Sequence, residues 1–182
     1  ALLCTGDLVL GNPPWVMQDV LGREGHAGAP RMQGRTRGDP RTGAGNFDAA
    51  EWLLRCWLEA LAGRDATVAM LVKESVAIRV LAAIARDGLG ARPLGMWGID
   101  ARAAFGVSAP AVLLALRTTG RPEGSTIDCP SAPDLDTHPT STVRIVDNIP
   151  IADLDAWERS KVLTGTSPIR WRSGVKHDCA TV

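Results

Sequence analysis

Asn12, Pro13, Pro14 and Trp15 follow one another after the apolar run at residues 7–10 and a single glycine, Gly11. The side-chain carbonyl of Asn12 and the main-chain carbonyl of Pro13 are acceptors, and Pro14 has no N–H. The two proline rings limit the turn's freedom, so both acceptors can be held converging. Two fixed acceptors suit an exocyclic amine with two N–H bonds. They draw the hydrogens out of the ring plane and localise the nitrogen lone pair, which activates a poor nucleophile. Trp15 offers a flat face on which a base can stack. A base in a duplex must leave it to reach such a pocket, at a cost of a few kcal/mol. Asn-Pro-Pro is also an ordinary turn sequence; its place directly after an Asp-headed apolar strand favours the pocket reading.

The elements that must position this turn follow the α/β pattern. Residues 7–10 read as a buried strand, stopped by prolines that cannot continue a ladder. Its carboxyl end is the edge where open α/β sheets bind ligands. Residues 17–46 lack periodicity and read as a long loop, and Arg23, Arg31, Arg35, Arg37 and Arg41 form a basic cluster within it. A helix is predicted over 47–62, with Asn46 as N-cap, Gly63 as stop, and Trp52, Leu53, Cys56, Trp57, Ala60 and Leu61 on its apolar stripe. Strands follow at 67–72, 93–99 and 109–117, with a helix at 75–86. Alternating strands and helices predict a parallel sheet. The last strand comes so soon after Phe105-Gly106-Val107 that an antiparallel final element is expected.

The remainder divides into residues 121–142, read as a linker or extended excursion, and 143–182, the start of a C-terminal region with a helix near 151–160. Hydrophobic residues make up 45% of the 182 positions, enough for a packed core. Twenty basic residues balance twenty acidic ones, so net charge gives no sign of a nucleic-acid partner. Cysteines at 4, 56, 129 and 179 form no C-x-x-C pair, so no metal is expected and the thiols read as reduced, in a cytoplasmic protein. No apolar run reaches the roughly 18–20 residues of a membrane span.

Asn12-Pro13-Pro14-Trp15 resembles the catalytic motif of amino-group DNA methyltransferases of the adenine-specific type, as found in large restriction–modification enzymes. The resemblance continues in order through Asn46-Phe47-Asp48, the segment Val68 to Ser75, and Phe105-Gly106-Val107-Ser108-Ala109-Pro110. It extends more loosely to the segment Trp171 to Cys179. It implies the second half of a Rossmann-like methyltransferase sheet over residues 1–120, with a short C-terminal extension. The implied reaction moves a methyl group from S-adenosylmethionine to the 6-amino group of adenine flipped out of double-stranded DNA. Asn12, Pro13, Pro14 and Trp15 are the implied catalytic residues. Asn12 also borders the cofactor, and Phe105 covers the other side of the base. The family's glycine-rich cofactor loop should precede the catalytic motif, but only eleven residues precede Asn12. The S-adenosylmethionine site is therefore expected to be incomplete here, the missing half of the domain to be a partner, and the isolated chain to be inactive.

Several readings stay open. A cytosine amine or a protein glutamine could replace adenine, and a non-catalytic DNA-binding remnant is a second class. Phe105 is either a stacking residue or core, and Trp52 and Trp57 read as core. Lys73 and Glu74, at the ligand edge, read as a solvated strand end or as substrate contacts. Lys176-His177-Asp178 shows no nucleophile to complete a triad.

Overall fold

In the computed structural model, residues 7–16, 48–118, 126–151, 153–163 and 165 are described. The basic cluster, Asn46 and the segment from Trp171 onward lie outside them. Two units are distinguished, divided between Ala152 and Asp153.

Among the described residues the first unit is built on a seven-stranded mixed sheet. Its strands are β1 (Asp7–Gly11), β2 (Ala66–Lys73), β3 (Ala91–Ile99), β4 (Ala111–Thr118), β5 (Thr126–Ala132), β6 (Ser141–Val146) and β7 (Ile149–Ile151). Their order across the sheet is β1-β2-β4-β3-β5-β6-β7. β1 lies parallel to β2, and β3 parallel to β5. β4 is antiparallel to both of its neighbours, as its short approach from Phe105 predicts. The sheet is thus mixed rather than wholly parallel, because the connection at residues 100–110, with its short helix, falls below the roughly dozen or more residues that a parallel crossover takes.

α1 (Ala49–Ala60) and α2 (Glu74–Asp87) both contact β2 and each other, so they share one face of the sheet. Val68, Met70 and Val72 of β2 alternate inward beneath them, with Leu114 and Leu116 of β4 and Met96 of β3. α1 buries Ala50, Leu54 and Leu58, four residues apart. The stripe expected through Trp52 and Trp57 is therefore rotated: Trp52 is half-buried and Trp57 is 37% exposed. Two indoles dominated the pattern, but the smaller leucines and alanine fit the close approach to the sheet. The α1 N-cap is Asp48, which accepts from Ala50 N at 3.1 Å. α2 closes at Gly88, whose φ of 65° suits glycine.

Residues 126–132, expected within a linker or excursion, form β5 instead. Its alternation buries Ile127 and Cys129, which join the core with Ile145 of β6. Proline and aspartate mask this period-2 signal, since Pro130 sits inside the strand. β6 and β7 make a hairpin whose two-residue turn, Asp147-Asn148, has positive φ at both positions.

The second unit begins with α4 (Leu154–Ser160), shorter than the helix expected near 151–160 and capped by Asp153, which accepts from Ala156 N. No helix among the described residues is long and apolar enough to cross a membrane.

Candidate functional site

β1, β2 and β3 share one direction, so Gly11, Lys73 and Ile99 end at the same edge of the sheet. β4 runs the other way and begins there: Ala111 lies opposite both Lys73 and Ile99. The Asn12–Trp15 turn, the start of α2, the loop before β4 and the short helix α3 (Ala101–Phe105) therefore gather at one rim.

Main-chain pairing of β1 with β2 stops at Gly11 opposite Met70. The chain then leaves the sheet with Asn12 exposed, Pro13 buried and Pro14 exposed. Trp15 is half-buried, and its indole N–H donates to the carbonyl of Leu71 at 3.2 Å, one residue past the last pair. This bond fixes the plane of the ring against β2. The next residue, Val16, accepts from Ala49 N at 2.9 Å, which joins the turn to the start of α1.

Lys73 is not a solvated strand end. Its ammonium donates to the main-chain carbonyl of Trp15 at 3.1 Å and to Asp48 Oδ2 at 2.9 Å. The Asp48 side chain is 1% exposed, while that of Lys73 is 27% exposed. One turn on, the equally buried Glu51 accepts from Arg79 Nε of α2 at 2.7 Å. Two carboxylates at the start of α1 are thus buried with a cation each, which buried charge requires. Sequence reasoning missed Asp48 and Lys73 as partners; the signal available was an acidic residue heading a helix and a lysine closing the adjacent strand.

A cleft of about 320 Å³ opens at the rim, lined by Lys73, Glu74, Ser75, Ile78, Ala109 and Pro110. Its walls are the first turn of α2 and the entry to β4, which are tied by Glu74 N donating to the Pro110 carbonyl at 3.0 Å. Phe105 is not core: it ends α3 with 51% of its surface exposed. Gly106 follows with a φ of 70°, and Val107 is 40% exposed beside it. Phe105 therefore stands on the same rim as the turn, on a separate connection. His138 is exposed in a loop. Among the described residues no group of three or more His, Cys, Asp or Glu side chains forms a metal cluster. Burial pushes the Cys129 thiol up to about 12, so it is inert at neutral pH.

Against this geometry the likeness to known proteins is informative. Across 179 residues the chain is 32% identical to a type II methyltransferase of Nostoc sp.. That relative is named M.NspV; the match takes in 96% of this chain and 37% of the relative, so the chain spans well under half of its length. No protein-family model matches the chain. No solved structure matches it.

Proposed function

We propose that this chain carries the base-binding part of a methyltransferase that modifies the 6-amino group of adenine in DNA, within a longer restriction–modification protein. The observation that carries the reading is the Asn12–Trp15 turn, exposed at Asn12 and tied down at Trp15, on the carboxyl edge of the sheet. The likeness to a type II methyltransferase supports the same class of reaction.

In this reading the Asn12 side-chain carbonyl and the Pro13 carbonyl accept the two amine hydrogens, and Pro14 keeps the turn rigid. Trp15 stacks on one face of the flipped base, and Phe105 covers the other. Binding a base between rings offsets part of the cost of extruding it. S-adenosylmethionine, when bound, supplies an electrophilic methyl group. The described residues fit one flank of its site: Asn12 borders it, while no glycine-rich turn among them leads from a strand into a helix. The rest of the pocket belongs to the missing half of the domain.

That half has a surface to meet. β1 ends the sheet, and Leu8 and Leu10 are 63% and 70% exposed. By register they share a face with Leu71, Leu113 and Trp97, opposite the face covered by α1 and α2. An apolar, half-open sheet face beside the strand that is outermost among the described residues suits further strands and helices of the same domain.

The test is methylation of duplex DNA by the longer protein, with the modified nucleoside identified. N6-methyladenine is the expected product. Asn12→Ala lowers turnover by about two to three orders of magnitude, as for loss of one transition-state polar contact, and weakens cofactor binding far less than it slows turnover. N4-methylcytosine or a methylated glutamine replaces the substrate in this reading; no methylation together with retained DNA binding makes the chain a DNA-binding remnant. Calorimetry on the isolated chain should show no S-adenosylmethionine binding at micromolar concentration, and clear binding there overturns the half-site reading.

A further inference from the structure

We infer that Lys73 is a positioning residue for the amine-binding turn, acting as a clasp between that turn and the N-terminus of α1. The inference rests on the proposed base-binding role of Asn12–Trp15 and adds a residue outside the motif to it.

Three segments meet at the lysine. It closes β2, the strand against which β1 is registered. Its ammonium reaches the carbonyl of Trp15, the last residue of the motif. Its second partner, Asp48 Oδ2, belongs to a side chain whose other oxygen caps α1 through Ala50 N. The main chain repeats the connection, with Ala49 N donating to the Val16 carbonyl. Asn12 itself is exposed, and the turn has left the β1 ladder at that point. The turn that carries it is anchored at both ends, by the pairing of Gly11 with Met70 and by the bonds to the Trp15 indole and carbonyl.

The ammonium suits this place. It offers three donors on a long stem, enough to serve a neutral carbonyl and a buried carboxylate together. Both bonds are charge-assisted, and only about a quarter of the side chain meets solvent. A displacement of about 1 Å at reacting groups can cost on the order of 10²-fold in rate. A clasp of this kind affects turnover without touching the base.

Lys73→Met and Lys73→Arg in the 182-residue chain test the inference by the ¹H–¹⁵N spectrum, with the Trp15 indole signal assigned by its loss in Trp15→Phe. Lys73→Met should shift the Trp15 indole and the amides of Trp15, Val16 and Ala50, and speed exchange of that indole proton by about tenfold or more, corresponding to about 1.4 kcal/mol. The Trp97 indole and the β3–β4 amides should stay in place, and Lys73→Arg should restore the wild-type pattern. Unmoved Trp15 and Ala50 signals overturn the inference, as does a shift spread evenly over all indoles in a folded protein. If Lys73→Met does not fold, Asp48→Asn carries the same expectation, because its amide presents donors where the lysine needs an acceptor; an unmoved Trp15 indole there overturns it too. These readouts need no activity. Absence of methylation by the wild-type longer protein defeats the base-binding reading and leaves the clasp itself measured.

Discussion

The indole N–H of Trp15 and the main-chain carbonyl of Leu71 form a 3.2 Å hydrogen bond where β1 has just left β2. The bond gives Trp15 a requirement that a flat stacking face alone does not. Phenylalanine keeps a face but has no donor, and it leaves the Leu71 carbonyl without the indole. In the longer protein Trp15→Phe should lose about 0.5–1.5 kcal/mol of stability and retain part of its activity. Trp15→Ala should lose both stability and stacking. The stacking loss, about 1–3 kcal/mol, should shrink on duplexes mismatched at the target, where extrusion costs less. Methylation rates on matched and mismatched duplexes, beside melting curves, separate the two contributions. Equal losses on both duplexes would make Trp15 a packing residue only.

Leu8 and Leu10 should respond differently in the isolated chain and in the longer protein. Both are more than 60% exposed here. Leu8→Ser with Leu10→Ser should change unfolding free energy of the chain by no more than about 0.5 kcal/mol per site. In the longer protein each substitution should cost about 1.5–3 kcal/mol, the value of burying a leucine. Urea unfolding of both forms gives the comparison, and equal small effects in the two argue against a covered face.

Gly98 should not accept a side chain. A Cβ built there runs into the carbonyl of Pro133, which is backbone and cannot swing aside. Gly98→Ala is expected to destabilise the first unit by about 1–3 kcal/mol or more, as overpacking does. Ala111→Gly, at a small buried position on a neighbouring strand, serves as a control for altered volume. A Gly98→Ala chain that melts with the wild type contradicts this packing.

Acid should weaken the pairing of α1 with the end of α2. Asp87 accepts from Arg86 at 2.7 and 2.8 Å and pairs with Arg55 at 2.8 Å. The Arg86 hydrogen bonds hold its carboxyl below the ordinary range, against a smaller opposing effect of burial. A lowered folded-state value contributes stability above the unfolded value of about 3.9 and loses it as pH falls through the folded value. Asp65 with Arg117 and Asp128 with Arg144 act in the same sense. Melting temperature should therefore fall below about pH 4, and Asp87→Asn should flatten that fall. An unchanged acid limb in the variant removes Asp87 from the account.

Much of the sheet was legible because its strands are short apolar runs between strong punctuation. Pro13-Pro14 and Gly88 mark real ends, whereas α1 stops at Leu61, two residues before Gly63, and the short helix closed by Gly106 was not expected. The antiparallel sense of β4 followed from the brevity of its approach. β5 was hidden because Pro130 and Asp128 lie within it, and only its pairing with β3 and β6 compensates for them. The motif at residues 12–15 was readable as local chemistry. The Lys73–Asp48 clasp was not, since it spans 25 positions and depends on which way each side chain turns. The buried face of α1 was misread for a related reason: periodicity located a stripe, but the tertiary neighbours decided which residues it contained.

The place of β4 between β2 and β3 has a consequence for assembly of the molecule. Residues 66–73 and 91–99 supply strands on either side of a slot that only residues 111–118 can fill. During synthesis two strand edges therefore face each other across a gap until the ribosome has released the third. An unfilled slot between apolar strands is a template for pairing with another chain. Joining β2 to β3 is thus deferred to one segment that follows both, whose register against its two neighbours has to be correct at once. Between the emergence of Ile99 and that of Thr118 the nascent chain is exposed to swapping and aggregation at that slot.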